Sequence, residues 1–342
     1  MPEECSFEAF LQIYEIAYDK GLKGCTAYRP NPLRGMVLQG GEAGANHRIA
    51  VFSNEKLIEI RFMADDARVA FLKWCLPRLG LRWPGYRKVR GLVGKRLNRR
   101  LAELELANLA AYRNFLISEP AEWARLEAMC RIPISRSYRD RGVFDAIGQQ
   151  LLPEAAAAAS ARGDNTIRCW STGCASGEEP YTLVMVWRFC VAQDWPTLGF
   201  TVIATDADET MIERAKAACY TRSSLKDLPP QWLEQAFTLC GPLFCLMGGF
   251  REGIQFELQD IRRSMPDGPF DLILCRNLAF TYFDDVMQRH TSNQLRERLR
   301  PGGFLVLGTH EALSADANGL PRISANFPVY RREPSGSKGL QL

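Results

Sequence analysis

Between residues 166 and 332, short apolar runs recur with helical patterns between them, and this alternation restricts the fold more than any other feature of the chain. Runs of strand length fall at 166–171, 200–205, 254–258, 270–275 and 303–308, with a last edge run at 328–332. Helical periodicity covers 178–193, 209–218 and 284–299. Parallel strands need a crossover between them, so strands separated by helices imply a mostly parallel sheet with helices on both faces. The expected class is α/β, a doubly wound sheet over 163–342. The stretch 237–255, with its short apolar runs and glycines, reads as a small β insertion between the second and third main strands.

Upstream, the spacing is helical throughout. Val69, Phe71, Leu72 and Leu76, then Val89, Val93, Leu97, Leu101 and Leu104, recur at three- and four-residue intervals, and further helices are expected at 109–117, 122–130 and 141–162. Residues 63–162 are therefore expected to form a small all-helical domain. Residues 1–62 read as an extension, because Pro30, Pro32 and frequent glycines interrupt any long element.

Charge is unevenly spread. The chain has a formal net charge of +4, yet 67–102 holds eleven Lys or Arg and no Asp or Glu. Lys88, Lys95, Arg96, Arg99 and Arg100 fall off the apolar stripe of their helix, which predicts a cationic face for a partner presenting acidic side chains.

With 46% apolar and 24% charged residues, the composition is that of an ordinary globular chain. No apolar run reaches the roughly 18 residues of a membrane helix, and the acidic start lacks a signal-peptide pattern. A cytoplasmic monomer without membrane insertion is the expectation. The 11 cysteines contain no C-x-x-C pair and read as reduced, mostly buried thiols; with only 3 histidines, no metal site is expected.

In a doubly wound sheet the ligand lies beyond the carboxyl ends of the strands, where strand order reverses. After the first strand comes STGCASGEEP, residues 171–180: Gly173 and Gly177 permit close backbone approach, and Glu178 and Glu179 suit the positive end of a helix. Adjacent carboxylates would serve a pyrophosphate badly and a ligand with an amino group and a ribose well. After the second strand, Asp206 stands where nucleotide-binding folds place a ribose acceptor, whereas Asp208 reads as a helix cap. Asp260 and Ile261, after the third, offer an acceptor and an apolar face to an adenine. Arg276, Asn277 and Tyr282 follow the fourth strand, with Cys275 read as a buried thiol.

The segments GLRWPGYRKVRGLVGKRLNRRL, RIPISRSYRDRGVF, RCWSTGCASGEEPYTL, VIATDADETMIERAKAACY, SLKDLPPQWLEQAF, FDLILCRNLAFTYFD and LRPGGFLVLGTHEAL resemble, in order and spacing, the CheR-type chemoreceptor glutamate methyltransferases over roughly residues 66–332. The resemblance implies a Rossmann-like class I methyltransferase sheet, S-adenosylmethionine as cofactor, and methyl transfer to a glutamate side chain of a chemoreceptor-like signalling protein. It puts Ser135, Arg139, Gly173, Glu179, Asp206, Asp260, Ile261, Arg276 and Asn277 at the cofactor. Arg139 and Tyr282 are implied as the organisers of the reaction. Glutamate is already ionised at neutral pH, so no general base is implied. The chain departs from the family pattern at Ser137-Tyr138-Arg139, where Phe-Phe-Arg is usual, in one extra residue between Asn277 and Tyr282, and at Gly308-Thr-His-Glu311. The alternatives are a nucleic-acid methyltransferase, disfavoured because Cys275-Arg-Asn replaces an Asn/Asp-Pro-Pro-aromatic motif, and a module that binds the cofactor without transferring its methyl.

Overall fold

The computed structural model describes residues 54–314 and 319–333, and the extension up to residue 53 lies outside them. Helix α1 (Asn54–Cys75) begins ahead of the expected boundary at residue 63. A 3-10 turn and α2 (Trp83–Tyr86) follow, then α3 (Arg90–Glu103), α4 (Leu109–Ser118) and α5 (Glu122–Cys130). Asn108 starts α4 by accepting the Ala111 N–H at 2.9 Å. The helical stretch 141–162 is two helices, α6 (Arg141–Ala146) and α7 (Leu152–Arg162), joined by a π turn, Ile147–Leu151. Pro153 has no N–H to continue a regular ladder from α6, which accounts for the break.

The α/β part runs β1 (Thr166–Thr172), α8 (Glu178–Val186), β2 (Gly199–Asp206), α9 (Glu209–Ala217), β3 (Cys219–Tyr220), α10 (Pro230–Ala236), β4 (Phe237–Cys240) and β5 (Leu243–Leu246). It continues with β6 (Ile254–Leu258), β7 (Phe270–Cys275), α11 (Ala279–Tyr282), α12 (Asp285–Arg298), β8 (Leu299–Leu307) and β9 (Val329–Arg331). The main sheet has the order β6-β2-β1-β7-β8-β9, parallel except for the β8–β9 pair. Strand order reverses between β1 and β7, and the crevice opens beyond their carboxyl ends. The expected α/β class is therefore the observed one.

Alternation along the strands sends neighbouring residues to opposite faces. Cys169, Leu272 and Phe304 join the core under α6, α7 and α8, while Trp170, Ile273 and Leu305 join the core under α1 to α5. Phe71, Leu72, Val93, Leu97, Tyr112 and Leu126 belong to that second core, so the amino-terminal helices share their apolar interior with the sheet. Gly85 brings α2 close: a Cβ there would lie 2.3 Å from the Thr281 carbonyl oxygen. Arg82 donates from its backbone N–H to the Tyr282 carbonyl at 2.8 Å and from its Nε to the Thr281 carbonyl at 3.2 Å. These contacts fix the loop after β7.

The insertion is a three-stranded antiparallel sheet, β3-β5-β4. Its first strand, Cys219–Tyr220, is too short to show a period in sequence. Here the reading of all cysteines as reduced thiols is corrected. Cys219 and Cys245 face each other across the β3–β5 pair and form a disulfide, because directly opposed residues on antiparallel strands bring their sulfurs together.

A second correction concerns the cationic face. Lys88, Lys95 and Arg99 are exposed, but Arg96 and Arg100 turn inward. Arg96 donates to the carbonyls of Met129 and Arg131. Arg100 grips the buried Glu122 with two bonds, Nε to Oε1 at 2.8 Å and Nη2 to Oε2 at 2.7 Å, and Tyr112 adds a third at 2.8 Å. Both arginines fall where α3 meets α5, and the buried glutamate needs its counter-charge. Arg100→Met should lower unfolding stability by about 3 kcal/mol, since it strands that charge, whereas Lys95→Met should change it by less than about 0.5 kcal/mol. Urea denaturation of the two variants measures the difference.

Candidate active site

The chain leaves β1 at Thr172 and must turn at once into α8, and backbone conformation shows how. Gly173, Ala175 and Gly177 have φ of +69°, +46° and +89°. A Cβ on Gly173 would lie 2.7 Å from Leu278, and one on Gly177 would lie 2.9 Å from Ala215. Only glycine meets both demands without cost. Asp206, at the end of β2, ties down this loop: Oδ2 accepts the Ala175 N–H and Oδ1 the Asp208 N–H, both at 2.9 Å. Burial pushes its carboxyl above the ordinary range, against these two bonds. Asp208 caps α9, accepting from Thr210 and Met211, as expected of it.

Arg276 leaves the end of β7 with its side chain only 2% exposed. Its Nη1 donates to Glu179 Oε2 at 2.9 Å, and its Nη2 donates to Asp140 Oδ2 at 2.8 Å and to the Arg139 carbonyl at 2.9 Å. Ser171 donates to the other oxygen of Glu179 at 2.9 Å. The guanidinium also lies over the Phe144 ring at 5.0 Å. Arg276 therefore fastens the 139–140 turn to the start of α8. Arg139 points its own guanidinium elsewhere, with one bond to the Ile134 carbonyl at 3.2 Å. Among the described residues, no carboxylate pairs with Arg139.

Asn277 has φ of +55° and is held by Glu311, a buried residue outside the expected site. One carboxylate oxygen accepts the N–H groups of Asn277 and Gly308, both at 2.7 Å, and the other accepts the Thr281 hydroxyl at 2.6 Å. Burial pushes this carboxyl up while its three donors oppose the shift. Tyr282 sits on the loop so fixed, its ring 5.1 Å from that of Tyr86. Burial raises the pKa of its phenol, which keeps it a hydrogen-bond donor. The Cys275 thiol is buried and raised far from thiolate, which agrees with the structural reading of that residue.

One cavity is lined by all ten residues nominated for cofactor and chemistry: Ser135, Arg139, Gly173, Glu179, Asp206, Asp260, Ile261, Arg276, Asn277 and Tyr282. Its wall also includes Thr172, Gln259, Glu127 and Arg262, which the sequence did not single out. Thr172 follows the pattern of a strand end and gives no sign of its own; Glu127 lies on a helix remote in sequence. Lys88, Lys95, Arg99 and the inward Arg96 and Arg100 are outside the lining. Thr172 Oγ1 and Gln259 Oε1 are buried without a protein partner. Buried polar atoms require partners, so unpartnered ones in a cavity wall suit a ligand rich in donors and acceptors. With the carboxylates of Asp206 and Asp260 and the side-chain-free backbone at Gly173, these acceptors fit the amine, hydroxyl and ammonium groups of S-adenosylmethionine.

Residues 134–326 match the family model described as CheR methyltransferase, SAM binding domain. The chain belongs to the CheR methyltransferase family. Its cofactor is S-adenosylmethionine, bound in the domain that the family model describes. Chemotaxis protein methyltransferase 2 of Vibrio cholerae is 30% identical over 252 residues, spanning 71% of this chain and 82% of that one. Chemotaxis protein methyltransferase 1 of Pseudomonas aeruginosa is 32% identical over 189 residues, 54% of this chain and 66% of the other. An uncharacterized 104.1 kDa protein of Rhodobacter capsulatus is 31% identical over 252 residues, 73% of this chain, but the match spans only 26% of that larger protein. Among the described residues of this CheR-family chain, no helix is long and apolar enough to cross a membrane.

Asp206→Ala should remove measurable binding of S-adenosylhomocysteine, because each charge-assisted bond to a ligand hydroxyl contributes about 1.5–3 kcal/mol. In the native chain the affinity should weaken on acidification while the pH is still above about 4, the ordinary aspartate range, since the raised Asp206 protonates early. Titration calorimetry across pH checks both.

Proposed function

We propose that the chain transfers a methyl group from S-adenosylmethionine to the side-chain carboxylate of a glutamate in a chemoreceptor-like signalling protein. The observation that carries this reading is Arg139, a guanidinium that lines the cavity without a carboxylate partner among the described residues, while the neighbouring Arg276 is paired with the carboxylates of Glu179 and Asp140. A planar fork of donors left open beside a cofactor cavity suits a carboxylate.

S-adenosylmethionine supplies an electrophilic methyl on a sulfonium sulfur. Asp206 accepts from the ribose hydroxyls, Asp260 and Ile261 meet the base, and Glu179 with the loop at Gly173 borders the amino acid end. An incoming glutamate is already ionised, so no side chain has to remove a proton. What remains for the protein is orientation and exclusion of water. Arg139 orients a carboxylate by its charge and fork. Tyr282, whose phenol is a hydrogen-bond donor at neutral pH, lines the cavity on a loop that Glu311 and α2 hold in place.

The acceptor binds across α3 and the turn before it, where Lys88, Lys95 and Arg99 are exposed. Helices of receptor signalling domains that display acidic residues complement such a face, and the attraction acts on encounter more than on the chemical step.

Incubation with tritiated cofactor and a cell lysate should label a protein band that loses its label in mild base, as a carboxyl methyl ester does. Label in RNA would refute the reading. Changing Lys88, Lys95 and Arg99 together to glutamate should raise the acceptor KM about tenfold or more at low salt, with the difference shrinking as ionic strength rises. Affinity for S-adenosylhomocysteine should stay within about twofold of native, because additivity holds for distant sites.

A further inference from the structure

Arg262 follows β6 and lines the same cavity. Its Nε donates to Asp260 Oδ1 at 2.9 Å, its Nη2 to Oδ2 at 2.5 Å, and its backbone N–H to Oδ1 at 3.0 Å. The same Nη2 pairs with Glu127 of α5, and the guanidinium carbon stands 5.8 Å from the centre of the Phe283 ring. One side chain thus joins three elements that wall the cavity.

Asp260 and Arg262 have side chains only 15% and 14% exposed. Burial works against the charge on Asp260, but the hydrogen bonds and charge of Arg262 outweigh it and hold the carboxyl below its ordinary range. Without that side chain, only the backbone N–H of residue 262 and the charge of Arg131 would oppose the burial that pushes this carboxyl up, and an acid O–H is a donor where an amine needs an acceptor. Glu127 adds a fixed point, so the guanidinium cannot swing away with Asp260. An exposed pair two residues apart would need no such third partner.

We propose that Arg262 is a positioning residue: it keeps Asp260 an anion with its oxygens fixed at the cavity wall, so that the exocyclic amine of the bound base meets an acceptor and not an acid. Asp260 touches the ligand, and Arg262 acts through it. The inference rests on the reading of this cavity as the S-adenosyl site.

Calorimetric titration of the full chain with S-adenosylhomocysteine, from about pH 6 to about pH 8, tests it. Arg262→Met should weaken binding about tenfold near pH 6 relative to native protein, and less near pH 8, because the unpaired Asp260 now ionises only as pH rises. Arg262→Lys keeps the charge and should show a loss that is the same at every pH. The double variant Asp260→Asn with Arg262→Met loses a ligand contact and should bind more weakly than native, but with the same affinity near pH 6 and near pH 8; Glu127→Gln with Arg262→Met, which removes the other acid on that guanidinium, should keep the pH-dependent loss. A loss in Arg262→Met that is independent of pH, or a pH dependence that survives Asp260→Asn, would mean a packing role only and would overturn the proposal. If Arg262→Met does not fold, Arg262→Gln takes its place: a loss that shrinks from about pH 6 to about pH 8 supports the proposal, and a loss equal at every pH, or a variant that again fails to fold, overturns it. Native protein that binds no S-adenosylhomocysteine would instead remove the reading of the cavity, and the inference with it.

Discussion

The buried guanidinium of Arg276 is the contact on which the rest of the site depends. It is almost wholly buried, and its charge is tolerable only because Glu179 and Asp140 are held within 2.9 Å. Those partners come from the first turn of α8 and from the turn before α6, so neutralising one charge draws three distant stretches of chain together. The arrangement leaves Arg139, next to Asp140, without an acid of its own. The electrostatics of the cavity therefore divide between an arginine that builds and an arginine that remains open.

Around this clamp the backbone takes conformations that side chains disfavour. Tyr138, Asp140, Ala175 and Asn277 all have φ between +46° and +61°, and all lie at or beside the cavity. Such residues persist only where the surroundings over-determine them. Tyr138 is held by the Thr182 hydroxyl at its N–H and by Asp145 at its own hydroxyl, and Asn277 by Glu311. The cost is offset by geometry: loops from separate strands converge on one cavity.

Much of this was legible in the sequence because it rests on local period and on loop chemistry. Strand length and alternation placed β1, β2, β6 and β7 to within a residue or so, and the position of Asp206 and Asp260 at strand ends already gave them a ligand-facing role. β8 begins earlier than expected, at Leu299, because Pro301 and two glycines hide its first residues; the register shifts there between Phe270 and Leu272. The errors share a cause. Arg96 and Arg100 look solvent-facing on an isolated helix, and only the approach of α5 turns them inward. Cys219 and Cys245 are separated by 26 residues, and only the pairing of β3 with β5 makes them neighbours. Glu127, Arg262 and Glu311 act through partners remote in sequence, so no local pattern announces them.

Glu311 lies downstream of every residue that lines the cavity, yet the loop carrying Asn277 and Tyr282 depends on its carboxylate. A chain emerging from the ribosome can pair β1 with β2 and close the turn at Gly173 long before Glu311 exists. The Asn277–Tyr282 side of the cavity must wait for the strand that carries the chain to that glutamate, β8, to add beside β7. The Gly173–Asp206 side of the cavity can thus close early and the Asn277–Tyr282 side only late, an order of synthesis that leaves the cavity incomplete until the sheet is nearly so.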